Sequence, residues 1–425
     1  MAKITAVKAG KTYKGTAKAD VINFTSKAGN KIKVNALAGN DTITVVGGSQ
    51  HTINTGAGTD KVYLKKGNSH KVTTGTGTNY IYVKAGTNHV ITGGTGVDKL
   101  YVSAGSVKSA NLGSGNDYVQ VTGGTLKSLN LGAGTNKVKV TGGTCSSIVG
   151  GTGTDVIEVS AQKNISINAK AGKNTVTVNG INNSYFSKVS KGKILGGSGV
   201  DTITVNKGGY YKIGTYGGND VINCTGGSHL IDAGAGNDKV TIGGKYASAV
   251  YGGAGNDTLT VKGQVGNALL SGGKGDDVIY CKSTNPTGFY NIVQGNEGKD
   301  TYHLYYLNTP TIVNTWDDTN SGKDTLIIHQ NLRNVYSLKY ASADDTLLVN
   351  DNLVVSRLSN VDKVKIDSDA GMVAFSVSEI KGIAEYVSLT DALRNFEIEY
   401  VSNLASVVNG SITKEIAQNV GYKGL

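Results

Sequence analysis

A period of nineteen residues governs this chain. Aligned on one Asp or Asn, the positions Asp41, Asp60, Asn79, Asp98, Asp117, Asn136, Asp155 and Asn174 follow one another at steps of 19. An insertion near 181–192 delays Asp201 by eight residues, after which Asp220, Asp238, Asp257 and Asp277 return at 18 to 20. Asp300 and Asp324 come at looser spacing. A repeat of about 20 residues is one supersecondary unit that cannot bury its own apolar face, so copies must stack as a solenoid.

The residues inside each repeat say what the unit is. Two and four positions after the aligned residue come Ile43 and Val45, Val62 and Leu64, Ile81 and Val83, and so on to Ile279 and Cys281. Alternation of β-branched residues reads as a strand with one buried face. A second apolar column lies seven positions before the aligned residue, at Ile53, Val72, Ile91, Ala110, Leu129 and Ile148 and again from Ile194 to Leu270. Each coil therefore has two short strands and two turns. Stacked at about 4.8 Å, some 15 such coils over 15–305 make an all-β, parallel β-solenoid on the order of 70 Å long.

The 61 glycines belong to the turns, since 2 prolines and no Gly-X-Y period exclude collagen. Between strands stand "GAGTD", "GTGVD", "GSGND", "GTGTD", "GSGVD", "GAGND" twice and "GKGDD". Glycine lets the backbone take positive φ and turn carbonyl oxygens inward, while aspartate adds a carboxylate to the same pocket. In a stack these carboxylates would repel one another unless something positive lay between them. Calcium, with six to eight oxygen ligands and tolerant geometry, suits that space better than magnesium.

With these turns the chain resembles the RTX (repeats in toxin) calcium-binding β-roll family. "GAGNDKVTI" (234–242), "GGAGNDTLTV" (252–261) and "GGKGDDVIY" (272–280) fit its nonapeptide GGxGxDxUx. The resemblance implies calcium ligands at Asp41, Asp60, Asp98, Asp117, Asp155, Asp201, Asp220, Asp238, Asp257, Asp277, Asp300 and Asp324. Only one turn per coil carries the aspartate, as in the 19-residue calcium-bound solenoids of bacterial adhesins, which the spacing also resembles. Asn79, Asn136 and Asn174 keep an oxygen and lose a charge, so weak sites are expected from 60 to 174 and strong ones from 201 to 277.

Other files of side chains run along the repeat. His51, His70 and His89 recur at 19 and are continued by Lys108 and Lys127, which reads as an exposed column rather than a metal site. Tyr63, Tyr82 and Tyr101, flanked by Lys61, Tyr80 and Lys99, form an outward file suited to contacting acidic polysaccharide or cell envelope. The Thr and Asn residues flanking the turn glycines are too often interrupted, by Lys173, Val200 and Lys274 among others, for an ice-binding array.

The net charge of +11 comes mainly from lysine, with arginine only at Arg333, Arg357 and Arg394. Together with the lack of a nucleic-acid motif, this argues against nucleic acid as partner. The 3 cysteines are too few and scattered for a disulfide framework and read as core side chains. No phosphate loop, dinucleotide fingerprint or nucleophile motif occurs, and no enzyme is expected.

The organisation reads as an N-terminal cap strand (1–14), the solenoid (15–305), a capping β region (306–384) and a terminal segment (385–425). That last segment has helical spacing from Ser388 through Leu389, Leu393, Phe396 and Tyr400. Asp317, Asp318 and Asp324 resemble a last acidic calcium loop. In the family, the C-terminal tail also carries the address for type I secretion, consistent with an opening segment that is no signal peptide. No stretch is long and apolar enough to span a bilayer. The expected function is a secreted, calcium-folded solenoid with a structural or adhesive role at a bacterial surface, as surface layer, matrix or adhesin, with self-association a further expectation. Two alternatives stand beside it, a polysaccharide-binding module and the carrier part of a larger exported enzyme or toxin.

Overall fold

A computed structural model describes residues 1–386, except 161, 163, 181–190, 245–246, 266, 285–290, 306–310, 316–321, 331–334, 336, 342–344, 351–352, 369–370 and 384. It is a parallel β-solenoid, organised as two units, Met1–Thr204 and Val205–Leu425.

In the first unit two columns of parallel strands alternate along the chain. One holds the strands that follow the aligned Asp or Asn: Val21–Phe24, Thr42–Val45 and Lys61–Leu64 pair in register, Ile22 with Ile43 and Ile43 with Val62. The other holds Lys33–Asn35, Thr52–Asn54 and Lys71–Thr73, with Val34, Ile53 and Val72 in one file. Lys3–Ala6 and Thr12–Lys14 pair with Val21–Phe24 and Lys33–Asn35 in the same parallel manner.

Burial follows the period of two. Ile43, Val45, Val62, Leu64, Ile81 and Val83 have no exposed surface, whereas Thr44, Tyr63 and Tyr82 between them face outward. Each fully buried Val, Leu or Ile contributes about 1.5–3 kcal/mol of transfer free energy, and it does so only once neighbouring coils cover it.

The second unit repeats the scheme. Cys224, Ile242, Val261 and Cys281 follow one another in register, so three rungs separate the two cysteines. All three thiols of the chain are buried. After Thr311–Asn314 and Asp324–Ile328 the order changes. Those strands pair with Leu353–Ser356 and Val361–Ser368, and these in turn pair antiparallel with Thr346–Val349 and Gly371–Ser376. These hairpins cover the last parallel rungs, which would otherwise present open hydrogen-bonding edges. A seven-residue helix, Val377–Ile383, follows. The insertion at 181–190, Asp317 and Asp318, and the helical pattern from Ser388 lie outside the described residues.

Candidate metal-binding ladder

The aligned Asp and Asn residues are brought together, and they are inside. Asp41, Asp60, Asn79, Asp98, Asp117, Asn136, Asp155, Asn174 and Asp201 in the first unit are at most 2% exposed, as are Asp220, Asp238, Asp257, Asp277 and Asp300 in the second, with Asp324 at 5%. The turn carries each side chain beneath it, and each then bonds to the coil before. The backbone N–H of Asp41 donates to Oδ1 of Asp60 at 2.8 Å, that of Asp98 to Asp117 at 2.7 Å, and that of Asp117 to Asn136 at 2.9 Å. The second unit continues the rule, Asp238 to Asp257 and Asp257 to Asp277 both at 2.7 Å, and Asp300 to Asp324 at 2.9 Å.

This ladder explains why Asp and Asn interchange. The inter-coil bond needs one acceptor oxygen, which a carboxylate and an amide both supply. The residues are therefore more than local turn formers, because their side chains join successive coils.

The second oxygen separates the two residue types. Oδ2 of Asp41, Asp60, Asp117, Asp238, Asp257 and Asp277 is buried with no hydrogen-bond partner. Every one of these follows another Asp in the ladder. Aspartates that follow an Asn are different. Asp98 Oδ1 accepts from Asn79 Nδ2 at 3.1 Å and Thr74 Oγ1 at 2.8 Å, and its Oδ2 from Gly94 N–H at 3.1 Å. Asp155 Oδ1 accepts from Asn136 Nδ2 at 2.9 Å and its Oδ2 from Gly151 N–H at 3.3 Å. Asp201, after Asn174, accepts on both oxygens at 2.9 Å. The asparagine amide also reaches the turn carbonyls: Asn136 Nδ2 lies 3.4 Å from Gly132 O and Gly134 O, and Asn174 Nδ2 3.1 Å from Lys170 O and 3.3 Å from Gly172 O. At an Asn rung, a side-chain N–H occupies the place a positive charge would take.

Burial raises the carboxyl on both sides of this division, at Asp98 and Asp155 as well as Asp60, and neighbouring carboxylates add to the rise at Asp41, Asp117, Asp238, Asp257 and Asp277. Burial, together with the neighbouring Asp20 and Asp60 charges, pushes the Asp41 carboxyl up to about 6. Burial with the Asp238 charge raises Asp257 to about 7, and burial with Asp300, Asp257 and Asp276 raises Asp277 to about 8. A buried carboxylate with an unpartnered oxygen and like charges beside it is costly.

The glycines give the carboxylates their room. A Cβ on Gly252 would lie 2.3 Å from Asp257 Oδ2, so the first glycine of the turn makes space for the side chain five residues on. Gly253, at φ +120°, would place a Cβ 1.8 Å from Gly234 O of the preceding coil, which sets how closely coils approach.

A buried, unpartnered carboxylate oxygen beneath a glycine turn, whose carbonyls the side chain of Asn136 or Asn174 reaches at the equivalent place, suits a hard cation. Among the described residues no three His, Cys, Asp or Glu side chains cluster to hold a metal by themselves. Backbone carbonyls and water would then supply the other ligands, and such oxygen donors suit calcium better than zinc.

Three further files lie outside this ladder. The residue just before the aligned Asp forms an exposed second ladder that spacing alone did not disclose. Asn219 Oδ1 accepts from Asn237 N–H at 2.9 Å, Asn237 from Asn256 at 2.8 Å and Asn256 from Asp276 at 3.0 Å.

The histidine column, expected to be exposed, is instead buried. Rings of His51, His70 and His89 stack at 4.8 and 5.1 Å, each Nδ1 faces the backbone N–H of the coil before, and each Nε2 meets the carbonyl four residues back. Burial lowers all three below the ordinary histidine range, His70 to about 4. Both ring nitrogens are spent on backbone, which leaves none for a metal. A polar residue that satisfies buried backbone can occupy a core column, and the lysine that continues its sequence spacing is not in its file, since Val107 pairs with His89.

Tyr63, Tyr82 and Tyr101 do form the outward file, stacked at 4.8 and 5.0 Å and within 10° of parallel. Lys61 and Lys99 flank Tyr80 in register, and Lys99 Nζ lies 5.1 Å from the Tyr80 ring centre.

Residues 215–241, 242–264 and 262–280 match the RTX calcium-binding nonapeptide repeat, in 4 copies. No curated protein matches the chain in sequence. Among solved structures the chain is similar to a hyperactive, Ca2+-dependent, β-helical antifreeze protein from an Antarctic bacterium, at 21% identity over 88% of this chain and 94% of that one, with a TM-score of 0.49. The matched segment holds Asp238, Asp257 and Asp277 with their unpartnered oxygens. The chain thus carries RTX calcium-binding repeats in a β-solenoid, and calcium is the ion they bind.

Proposed function

We propose that this is an exported, non-catalytic solenoid that completes its folding on calcium and serves a structural or adhesive role at a bacterial cell surface. The observation that carries the reading is the row of buried Asp Oδ2 atoms without protein partners at every Asp-after-Asp step from Asp41 to Asp277, leaving out steps onto Asp220. Calcium, when bound, supplies the positive charge those oxygens lack. The chain's own groups do the rest: Oδ1 ties each coil to the one before, glycines hold the carbonyls close, and the apolar columns close over the core. Because ligand binding to the folded state alone adds to stability, about 2.7 kcal/mol for each site at a hundredfold excess over Kd, the fold is secured where calcium is plentiful. Export before folding is consistent with the resemblance of the chain to type I substrates. Among the described residues no helix is long and apolar enough to cross a membrane. Circular dichroism during a calcium titration tests the reading. Strand content should rise from chelator to millimolar calcium, and an unchanged spectrum refutes the switch.

A further inference from the structure

One stretch of the first unit presents mostly lysine. Between residues 42 and 157 there are ten lysines and no arginine. The carboxylates in that span are Asp60, Asp98, Asp117 and Asp155, and all four are buried in the ladder. Glu158, just beyond the span, reaches Lys139 at 3.8 Å, and among the described residues the other nine lysines meet no acidic side chain. A field of this kind draws polyanions.

On the strands after the aligned residue, the outward positions of three successive coils read Lys61, Tyr63 and Lys65, then Tyr80, Tyr82 and Lys84, then Lys99 and Tyr101, in register across the coils. The ring faces of Tyr63, Tyr82 and Tyr101 are turned toward one another by stacking, so what the file presents is ring edges and hydroxyls. Among the described residues those hydroxyls have no hydrogen-bond partner.

The distinction selects the partner. Nucleobases are held by stacking on open aromatic faces and phosphates by arginine forks, and this face has neither. A row of phenolic hydroxyls at the strand spacing, bordered by ammonium groups, matches a linear polymer that repeats both hydroxyls and negative charge. We propose that this face binds an acidic polysaccharide, laid across successive coils, with carboxylates at Lys61, Lys65, Lys84 and Lys99 and sugar hydroxyls at Tyr63, Tyr82 and Tyr101. It rests on the surface role proposed above and gives that role a chemical partner.

The test uses the full chain in saturating calcium, with hyaluronate as the carboxylated probe, dextran as the neutral one and DNA as the other polyanion. Hyaluronate should bind, dextran should not, and DNA should bind more weakly than hyaluronate. Combining Lys61→Gln, Lys65→Gln, Lys84→Gln and Lys99→Gln should weaken hyaluronate binding about tenfold or more and flatten its salt dependence. Combining Tyr63→Phe, Tyr82→Phe and Tyr101→Phe keeps the stack and removes only the hydroxyls, and should weaken it about threefold at unchanged melting temperature. No hyaluronate binding, DNA binding as tight as hyaluronate, or phenylalanine variants equal to the parent would each overturn the proposal. The calcium reading is judged separately, since a flat calcium titration sinks it whatever the polymer assay shows, and absent polymer binding leaves a calcium-induced rise in strand content untouched.

Discussion

From Asp60 to Asn174 the ladder mixes aspartate and asparagine, whereas from Asp220 to Asp324 it is aspartate throughout. Both stretches keep the inter-coil bond from backbone N–H to side-chain oxygen. They differ in how the remaining polar atoms are satisfied. In the mixed stretch Asn79 and Asn136 give an N–H to the next carboxylate, and Asn136 and Asn174 to turn carbonyls. In the aspartate stretch Asp238, Asp257 and Asp277 each keep an oxygen with no protein donor. An amide and a cation are thus two solutions to one local problem, one built into the chain and the other taken from solution. The first unit is not wholly of one kind, since Asp41, Asp60 and Asp117 follow aspartates and carry the same unpartnered oxygen. The unpartnered oxygen follows the Asp-to-Asp step rather than the region, and on the proposed reading demand for calcium does the same.

Exchanging the two residue types breaks the comparison most sharply. Asn136→Asp removes the donor to Asp155 and sets two carboxylates side by side. It should cost about 1–3 kcal/mol in chelator, recovered when calcium is added. Asp257→Asn should do the reverse, stabilising the calcium-free protein by about 1 kcal/mol and lowering the number of bound ions. Urea unfolding with and without chelator, and calcium counting by calorimetry, read both.

A pH series sharpens the contrast. Asp257 and Asp277 hold their protons more tightly folded than unfolded, with values near 7 and 8 against an ordinary 3.8. Their contribution to stability in chelator is therefore fully present below about pH 4 and is lost as pH rises through about 8. Asp155, beside Asn136, lacks an unpartnered oxygen, so exchange protection around it should vary less over this window. With calcium the sign reverses, because protons compete with the ion for the same oxygens and acid weakens the fold. Thermal melts from pH 4 to 8 with and without chelator measure both slopes.

The exposed outer ladder gives the smallest effect. Asn237→Ala removes one acceptor at a wet turn and should cost about 0.5–1 kcal/mol, equally with and without calcium. A calcium-dependent cost would mean that this row, too, takes part in ion binding.

Much of this was legible in the residues. The 19-residue period, the pair of apolar columns and the glycine turns lead to a parallel solenoid because only stacking buries Ile43, Val45 and Ile53 together. The Asp file was legible as well, since one residue type at constant spacing in a stack must fall in one line. What the spacing could not disclose was direction. That the Asp side chain bonds to the coil before it, that an asparagine amide turns toward the carbonyls of its own turn, and that His70 lies inside depend on side-chain angles the pattern does not encode. His51, His70 and His89 look like surface residues because Lys108 follows them, yet Val107, one residue earlier, pairs with His89 and is the buried member of that coil. The outer row Asn219, Asn237 and Asn256 recurs at 18 and 19 residues, one place before the Asp file, and that spacing alone does not show that the side chains bond from coil to coil.

Residue-resolved hydrogen exchange on the full chain, in chelator and then in millimolar calcium, tests the central claim most directly. The account predicts that calcium raises protection most at the Asp238, Asp257 and Asp277 turns, and least at Asp98 and Asp155, whose oxygens the chain already satisfies. Equal gains at both kinds of turn, or none at the first, would contradict it.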